Sequence, residues 1–240
     1  MAKVLITRPI SDAKETSNTL EKYNIESLCI PLIEIKKKSH KPVLLSEYDI
    51  ILFTSKNAVR NFKINKKKLH LQKLVFSIGD ETKNLLLDYG FKNVISTNGN
   101  LENLKKEITK YLKTNFSILH PTFSKKNCEL EKFFFKYKCK YFHLQCYSAL
   151  KVNKKKSLFK KFMISENDKL ITIYSSLTAR SFIDEVKKLD LIEFCKDKIF
   201  IVISENVKKE LTCLGQFNIE VVKKPKENEM INLLVKKSRG

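Results

Sequence analysis

DIILFTSKNAVRNF, Asp49–Phe62, decides how this chain is read. Ile50–Phe53 is a short, wholly apolar run that stops at two hydroxyl residues, Thr54 and Ser55, and a helical pattern starts at once. A strand apolar at every position is buried on both faces, as in parallel sheets covered by helices. A hydroxyl at the junction suits a helix N-cap, because its oxygen accepts a backbone N–H that the first helical turn leaves unpaired. KLITIYSSLTARSF, Lys169–Phe182, makes the same move with Ser175 and Ser176 in that place.

The likeness extends along the chain. LEKYNIESLCIPLIEI, Leu20–Ile35, resembles FFKYKCKYFHLQCYSAL, Phe134–Leu150, at an offset of 114 residues, with Tyr23 on Tyr137 and Ile33 on Tyr147. Before each lies a strand ending near a proline, KVLITRP and FSILHP. ILFTSKNA matches TIYSSLTA at an offset of 121, and FSIGDETKNLLLDYG matches IVISENVKKELTCLG at 125, placing Gly90 on Gly215. Three matches in one order, drifting slightly in offset, are what a duplication with loop insertions gives.

Ten apolar runs follow as strands: Val4–Thr7, Ile25–Ile30, Ile50–Phe53, Leu74–Ile78, Asn93–Ser96, Ser117–His120, Lys140–Cys146, Leu170–Tyr174, Ile199–Ile203 and Asn218–Val222. Helical spacing separates them, with Ala13, Thr16, Leu20 and Tyr23 on one apolar face and Leu101, Leu104, Ile108, Tyr111 and Leu112 on another. Gly90 and Gly215 stand at helix ends, where a left-handed turn favours glycine. Asn100 reads as an N-cap, and the last helix opens after Pro225. The fold class is α/β, with two parallel sheets. The polar stretches Lys36–Pro42 and Leu150–Lys156 read as hinge material between the halves.

Bulk properties bound the function. The chain has 240 residues, room for two domains of roughly 100–130 residues, and 42% hydrophobic content supplies their cores. No run of about 18 apolar residues offers a membrane span, and the amino-terminal residues read as a strand, not a signal peptide, so a cytoplasmic protein is expected. The net charge of +21 invites a nucleic-acid reading. Lysine supplies nearly all of it, arginine occurring only at Arg8, Arg60, Arg180 and Arg239, whereas specific phosphate and base readout favours the arginine fork. The lysines are spread in short runs, Lys36–Lys38, Lys66–Lys68 and Lys154–Lys156, so no specific nucleic-acid partner is expected, while a small polyanion would be drawn to such a field. Cys139, His143 and Cys146 are the closest approach to a metal set. Strand alternation puts Cys146 on the face opposite the other two, without a second ligand pair, so no metal site is expected.

Chemistry is expected at the strand ends. In open parallel sheets ligands bind outside the carboxyl edge, where free N–H groups and the positive end of each helix dipole face the same space. For one hydroxyl, capping is explanation enough. The set is what argues for a ligand: FTS, YSS, IGDET at Ile78–Thr82, ISEN at Ile203–Asn206, ITRP at Ile6–Pro9 and LHPT at Leu119–Thr122 all lie at strand ends. No GxGxxG or Walker spacing occurs, so nucleotide binding is not supported. No serine–histidine–acid triad or carboxylate pair is visible, and His70 reads as solvated.

VLITRP, IPLIEI, DIILFTSKNAVRNF, SIGDETKNLLLDYGF, YSAL, ITIYSSLTARSF and IFIVISENVKKEL, in this order, resemble the uroporphyrinogen-III synthase family over nearly the whole chain. The resemblance implies two flavodoxin-like, three-layer domains: residues 1–35 with 152–240, and an inserted 40–149, joined by connecting strands at 36–39 and 150–151 around a cleft. It implies an enzyme that needs no cofactor and cyclises hydroxymethylbilane, losing water and inverting the last ring; a monomer is expected because both domains read as self-sufficient. Tyr147 matches a tyrosine near the family's cleft and is the expected proton donor to the departing hydroxide, a core aromatic at a strand end being the alternative. Thr82 matches a hydroxyl that would bond a substrate carboxylate. Thr54, Ser55, Gly79, Ser175, Ser176 and Ser204 match substrate-facing turns. Arg8 matches the TRP arginine, with a substrate carboxylate and a structural ion pair as its two readings. Ser204 stands where the family often has glycine, Val207 where it often has threonine, and LHPTFSKKN lacks a common arginine–glycine pair. The competing class is a non-catalytic, two-lobed binder of small anions.

Overall fold

The computed structural model describes residues 3–63, 71–97, 101–123, 128–167 and 169–238. Asn100, His70, Arg239 and the Lys66–Lys68 run lie outside the described residues. The chain divides into two compact units, Met1–Glu34 with Leu150–Gly240, and Ile35–Ala149.

In the first unit, β1 (Val4–Ile6), β2 (Ser27–Cys29), β10 (Leu170–Ile173), β11 (Ile199–Val202) and β12 (Asn218–Val221) form one sheet in the order β12-β11-β10-β1-β2. All four pairings are parallel. In the second unit, β4 (Ile50–Phe53), β5 (Leu74–Ile78), β6 (Asn93–Thr97), β7 (Ser117–Thr122) and β8 (Lys140–Gln145) take the order β6-β5-β4-β7-β8, again all parallel. Both are doubly wound: numbered along the chain, the first sheet has the flavodoxin-like order 2-1-3-4-5, and the second has 3-2-1-4-5, the same spatial arrangement entered at a different strand. The chain crosses from one unit to the other on β3 (Ile33–Lys37) and β9 (Tyr147–Lys151), which pair as a two-stranded sheet. Hydrogen bonds from Lys38 N to Cys146 O and from Val152 N to Leu32 O close its two ends.

The apolar strands are buried on both faces, as their composition demands. Leu5, Ile171, Phe200 and Val202 face one core of the first unit, while Val4, Ile6, Leu170 and Ile201 face the other. Ile51, Phe53, Val75 and Leu119 divide in the same way from Ile50, Leu52, Phe76 and Ile118 in the second. Each such side chain, at or near zero exposure, contributes about 1.5–3 kcal/mol by leaving water.

The helices that cover these faces include α1 (Ile10–Glu21), α2 (Lys56–Asn61), α3 (Asp80–Asp88), α4 (Leu101–Thr109), α5 (Cys128–Lys136), α6 (Lys156–Ile164), α7 (Ser176–Lys188), α8 (Glu205–Leu211) and α9 (Glu227–Ser238). Ala13, Thr16 and Leu20 are buried on α1 as their spacing requires, but Tyr23 lies past the helix end and is exposed. Gly90 and Gly215 take φ of 95° and 138°. The second angle, with ψ of −172°, belongs to a region that only glycine occupies without strain. Cys139 joins one face of the second unit and Cys146 the other, each thiol directed at backbone carbonyls.

The repeat is visible in the sheets. β1, β2, β10, β11 and β12 hold the same places as β7, β8, β4, β5 and β6. The structural equivalence corrects the sequence match by one residue in one segment. Ile50–Phe53 corresponds to Leu170–Ile173, so Ser55 is the counterpart of Ser175 and Thr54 that of Tyr174. The better side-chain identities fall one residue along, but the caps fix the true register.

Candidate active site

At the carboxyl edge of the second unit, α2 begins where β4 ends. Ser55, in extended backbone, caps α2 by accepting from Ala58 N at 3.1 Å. Its oxygen also meets the Tyr147 hydroxyl at 3.0 Å, across 92 residues of sequence. Tyr147 is 6% exposed, with its ring centroid 6.0 Å from that of Phe123. The arrangement serves both readings of Tyr147: the ring packs in the core, and the hydroxyl reaches the helix start. Where Ser55 donates to the phenol oxygen, the phenol proton is left for another acceptor.

Thr54, one residue before the cap, does not cap the helix. Its Oγ1 lies 3.1 Å from His120 Nε2, and His120 Nδ1 lies 2.6 Å from the Tyr141 hydroxyl. His120 is 2% exposed and stands near the end of β7, directly opposite His143 on β8. Burial, aided by the charge on His143, pushes its pKa down to about 3, so the ring is neutral at physiological pH. β4 and β7 are the neighbours between which the strand order reverses, the switch point where such sheets bind ligands.

Gly79 precedes α3 with φ of 81°, a left-handed conformation that strains any residue carrying a Cβ. It bares the helix start, where Asp80 and Glu81 stand in the first turn and Glu81 pairs with Lys56 at 2.8 Å. Thr82 is buried on α3 at 5% exposure.

In the first unit Ser175 caps α7, accepting from Thr178 N at 3.1 Å and meeting the Thr178 hydroxyl at 2.8 Å. Ser176, the first helical residue, lines a groove of about 490 Å³ with Arg180, Asn206, Lys209, Glu210 and Cys213. Ser204 opens α8 without a side-chain cap bond.

The switch point of this unit, between β1 and β10, is filled by Arg8. Its guanidinium bonds the Glu227 carboxylate at 2.5 Å and the Thr16 hydroxyl at 2.9 Å, lies 3.8 Å from Asp12, and rests 4.1 Å over the Tyr174 ring. Burial works against its charge, but Tyr174, Glu227 and Asp12 more than compensate and raise its pKa. These contacts match the structural ion pair among the readings of Arg8.

The structure thus joins Ser55 to Tyr147, and Thr54, next to Ser55 in sequence, to His120. Ser175, Ser176 and Ser204 are set at the starts of two packed helices of the other unit. Sequence reasoning missed His120, Tyr141 and Glu227 as partners. His120 precedes Pro121 as Arg8 precedes Pro9, but the sheet register sets Ile6, not Arg8, in the place of His120, so the repeat carried no signal for it. Among the described residues, no group of three histidine, cysteine or acidic side chains is gathered as metal ligands would be.

Comparison with known proteins agrees with this architecture. The family model described as uroporphyrinogen-III synthase HemD matches residues 14–232. A protein of Methanocaldococcus jannaschii named "Putative uroporphyrinogen-III synthase" is 28% identical over 225 residues, covering 89% of this chain and 90% of that one. The crystal structure of uroporphyrinogen-III synthetase from Helicobacter pylori superposes with a TM-score of 0.66 at 17% identity, covering 99% of this chain and 100% of the other. A mutant uroporphyrinogen III synthase of Thermus thermophilus gives 0.57 at 12%, covering 100% and 99%. These two structures share the fold. With a family match spanning most of its length, and two doubly wound sheets whose strand ends carry capping hydroxyls, the chain belongs to the uroporphyrinogen-III synthase family.

Proposed function

We propose that the protein cyclises hydroxymethylbilane to uroporphyrinogen III, with loss of water and inversion of ring D. The observation that carries this reading is the Ser55–Tyr147 hydrogen bond at the carboxyl edge of the second unit, in a chain of this family. A phenol hydroxyl is a donor that can lend its proton to a departing hydroxyl. Tyr147 gives that proton as the hydroxymethyl carbon–oxygen bond breaks, and water leaves. The azafulvene that remains is attacked by the substituted carbon of ring D, giving a spiro centre. That centre opens and recloses with ring D turned over, and loss of a proton restores the pyrrole.

The substrate carries an acetate and a propionate on every pyrrole. The hydroxyls of Thr54, Ser55, Thr82, Ser175, Ser176 and Ser204, and the N–H groups at the start of α3, where Gly79 brings no side-chain cap, are the groups we assign to those carboxylates. Lys209 beside Ser176 adds positive charge, while Arg180 there is paired with Glu210. Arg8, already engaged by Glu227, holds the β1–α1 turn in place. Left alone, the substrate closes without inversion, so most of the catalysis is conformational restraint plus aimed donors. No step in this scheme calls for a cofactor.

We place the reaction in the cytoplasm, in a monomer, without nucleic-acid or membrane partners. Each unit has its own core, and no described helix is long and apolar enough to cross a membrane. The test supplies hydroxymethylbilane and separates the isomers of the oxidised product. The type III isomer in excess of the uncatalysed background supports the proposal. Type I alone leaves a non-catalytic anion binder of the same fold.

A further inference from the structure

His120 does no work that the family resemblance assigns, yet it is one of the most completely buried polar side chains of the second unit and is bonded at both ring nitrogens. A neutral imidazole has one N–H and one lone pair, so the two bonds must run in opposite senses. A phenol is a better donor than an aliphatic alcohol. Burial, and then the charge of Glu131, hold Tyr141 protonated by raising its pKa. The shorter, 2.6 Å contact therefore carries the Tyr141 proton to Nδ1. That places the ring proton on Nε2, and the 3.1 Å contact runs from Nε2–H to Thr54 Oγ1. An oxygen that already accepts turns its own proton away from the ring. Thr54 is half-buried, and Ser55, its neighbour, supplies the cap of α2 in its stead, so its proton is not used by the helix.

We propose that His120 is a positioning residue: with its tautomer fixed by Tyr141, it accepts no proton from Thr54 and leaves the Thr54 hydroxyl as an outward donor to a substrate carboxylate. In the first unit Arg8, two residues past the end of β1, lies over Tyr174, the counterpart of Thr54, although the sheet register puts Ile6 where His120 stands. That junction ends in a phenol and an ion pair; the one in the second unit ends in a free hydroxyl proton.

The inference rests on the proposed function for its substrate, so its test has one arm that does not. Nitrogen-15 spectra of the imidazoles in the free protein report the tautomer directly. The His120 signals should show Nε2 protonated and Nδ1 bare, and Tyr141→Phe should shift the Nδ1 resonance. A ring protonated at Nδ1 would overturn the proposal whatever the enzyme does. The second arm is a cycle of Thr54→Val, Tyr141→Phe and the double variant, assayed with hydroxymethylbilane. Each single change should cost about tenfold in kcat/KM, mostly through KM, as one hydrogen bond to a carboxylate is lost. The double variant should cost about tenfold as well, because both remove the same donor. Losses that multiply to about a hundredfold would reduce Tyr141 and His120 to packing and overturn the proposal. A wild-type protein that makes no type III isomer would instead fail the proposed function, leaving the tautomer to be decided by the spectra.

Discussion

Glu227→Gln removes one negative charge from the Arg8 network with almost no change of shape. Side chains at both ends of the pair are nearly withdrawn from solvent, 10% exposed for Arg8 and 15% for Glu227. The Glu227 carboxylate accepts from Arg8 at 2.5 Å and from Thr16 at 2.6 Å. After the substitution Arg8 keeps Asp12, whose nearest oxygen is 3.8 Å away, and the Tyr174 face. Breaking a buried pair from one side costs roughly 3–5 kcal/mol, and Asp12 offsets some of this, so about 3 kcal/mol is expected. In a chain of this size that is a fall of roughly 6–12 °C in Tm. Replacing both partners, Arg8→Met with Glu227→Met, leaves Asp12 as the one remaining charge of the network, which can protonate, and should recover part of the loss. Urea titration followed by circular dichroism reads both variants. A Glu227→Gln protein within about 0.5 kcal/mol of wild type, or a double variant less stable than Glu227→Gln, would refute the reasoning.

Two further measurements probe the second unit. His120 is buried neutral with its pKa pushed down to about 3, against about 6.5 when unfolded, so the unfolded chain takes up its proton first. Its contribution is complete above pH 6.5 and is lost as pH falls toward 3, roughly 2 kcal/mol having gone by pH 5. His120→Gln should flatten that part of the pH–stability curve, and an unchanged slope would count against a buried neutral ring. Among the thiols, burial pushes Cys146 up to about 11 and Cys195 up to about 12, whereas Cys128 and Cys213 are exposed. Iodoacetamide at pH 8 should label Cys128 and Cys213 in the native protein and reach Cys146 and Cys195 only after denaturation, as peptide mass mapping would show.

The sheets were legible because each strand is apolar at nearly every position. Ile50–Phe53 and Leu74–Ile78 coincide with their observed bounds, and no strand of the two large sheets was missed. Ends slipped where a polar or proline residue still belonged to the ladder. β7 runs on through Pro121 to Thr122, because Leu144 and Gln145 of β8 continue the pairing there. Conversely, Ile25 and Ile30 are buried without being strand residues, since apolarity reports burial and not backbone pairing. The Ser55 cap was readable from local sequence, because a cap and its N–H are three residues apart. The Ser55–Tyr147, Thr54–His120 and Arg8–Glu227 contacts were not, spanning 92, 66 and 219 residues. Such contacts depend on which elements become neighbours: the reversal of strand order at β4–β7 brings Thr54 to His120, whereas Tyr147 comes from β9 and Glu227 from α9, which packs on α1.

The role given to Tyr147 is tested most directly by the rate of type III formation in Tyr147→Phe. The ring and its packing beside Phe123 are kept, and only the hydroxyl that meets Ser55 is lost. A fall in kcat of about a hundredfold is predicted, the usual scale for loss of a positioned acid, with Tm within a few degrees of wild type. An unchanged kcat in a well-folded variant would contradict the assignment of the proton to Tyr147.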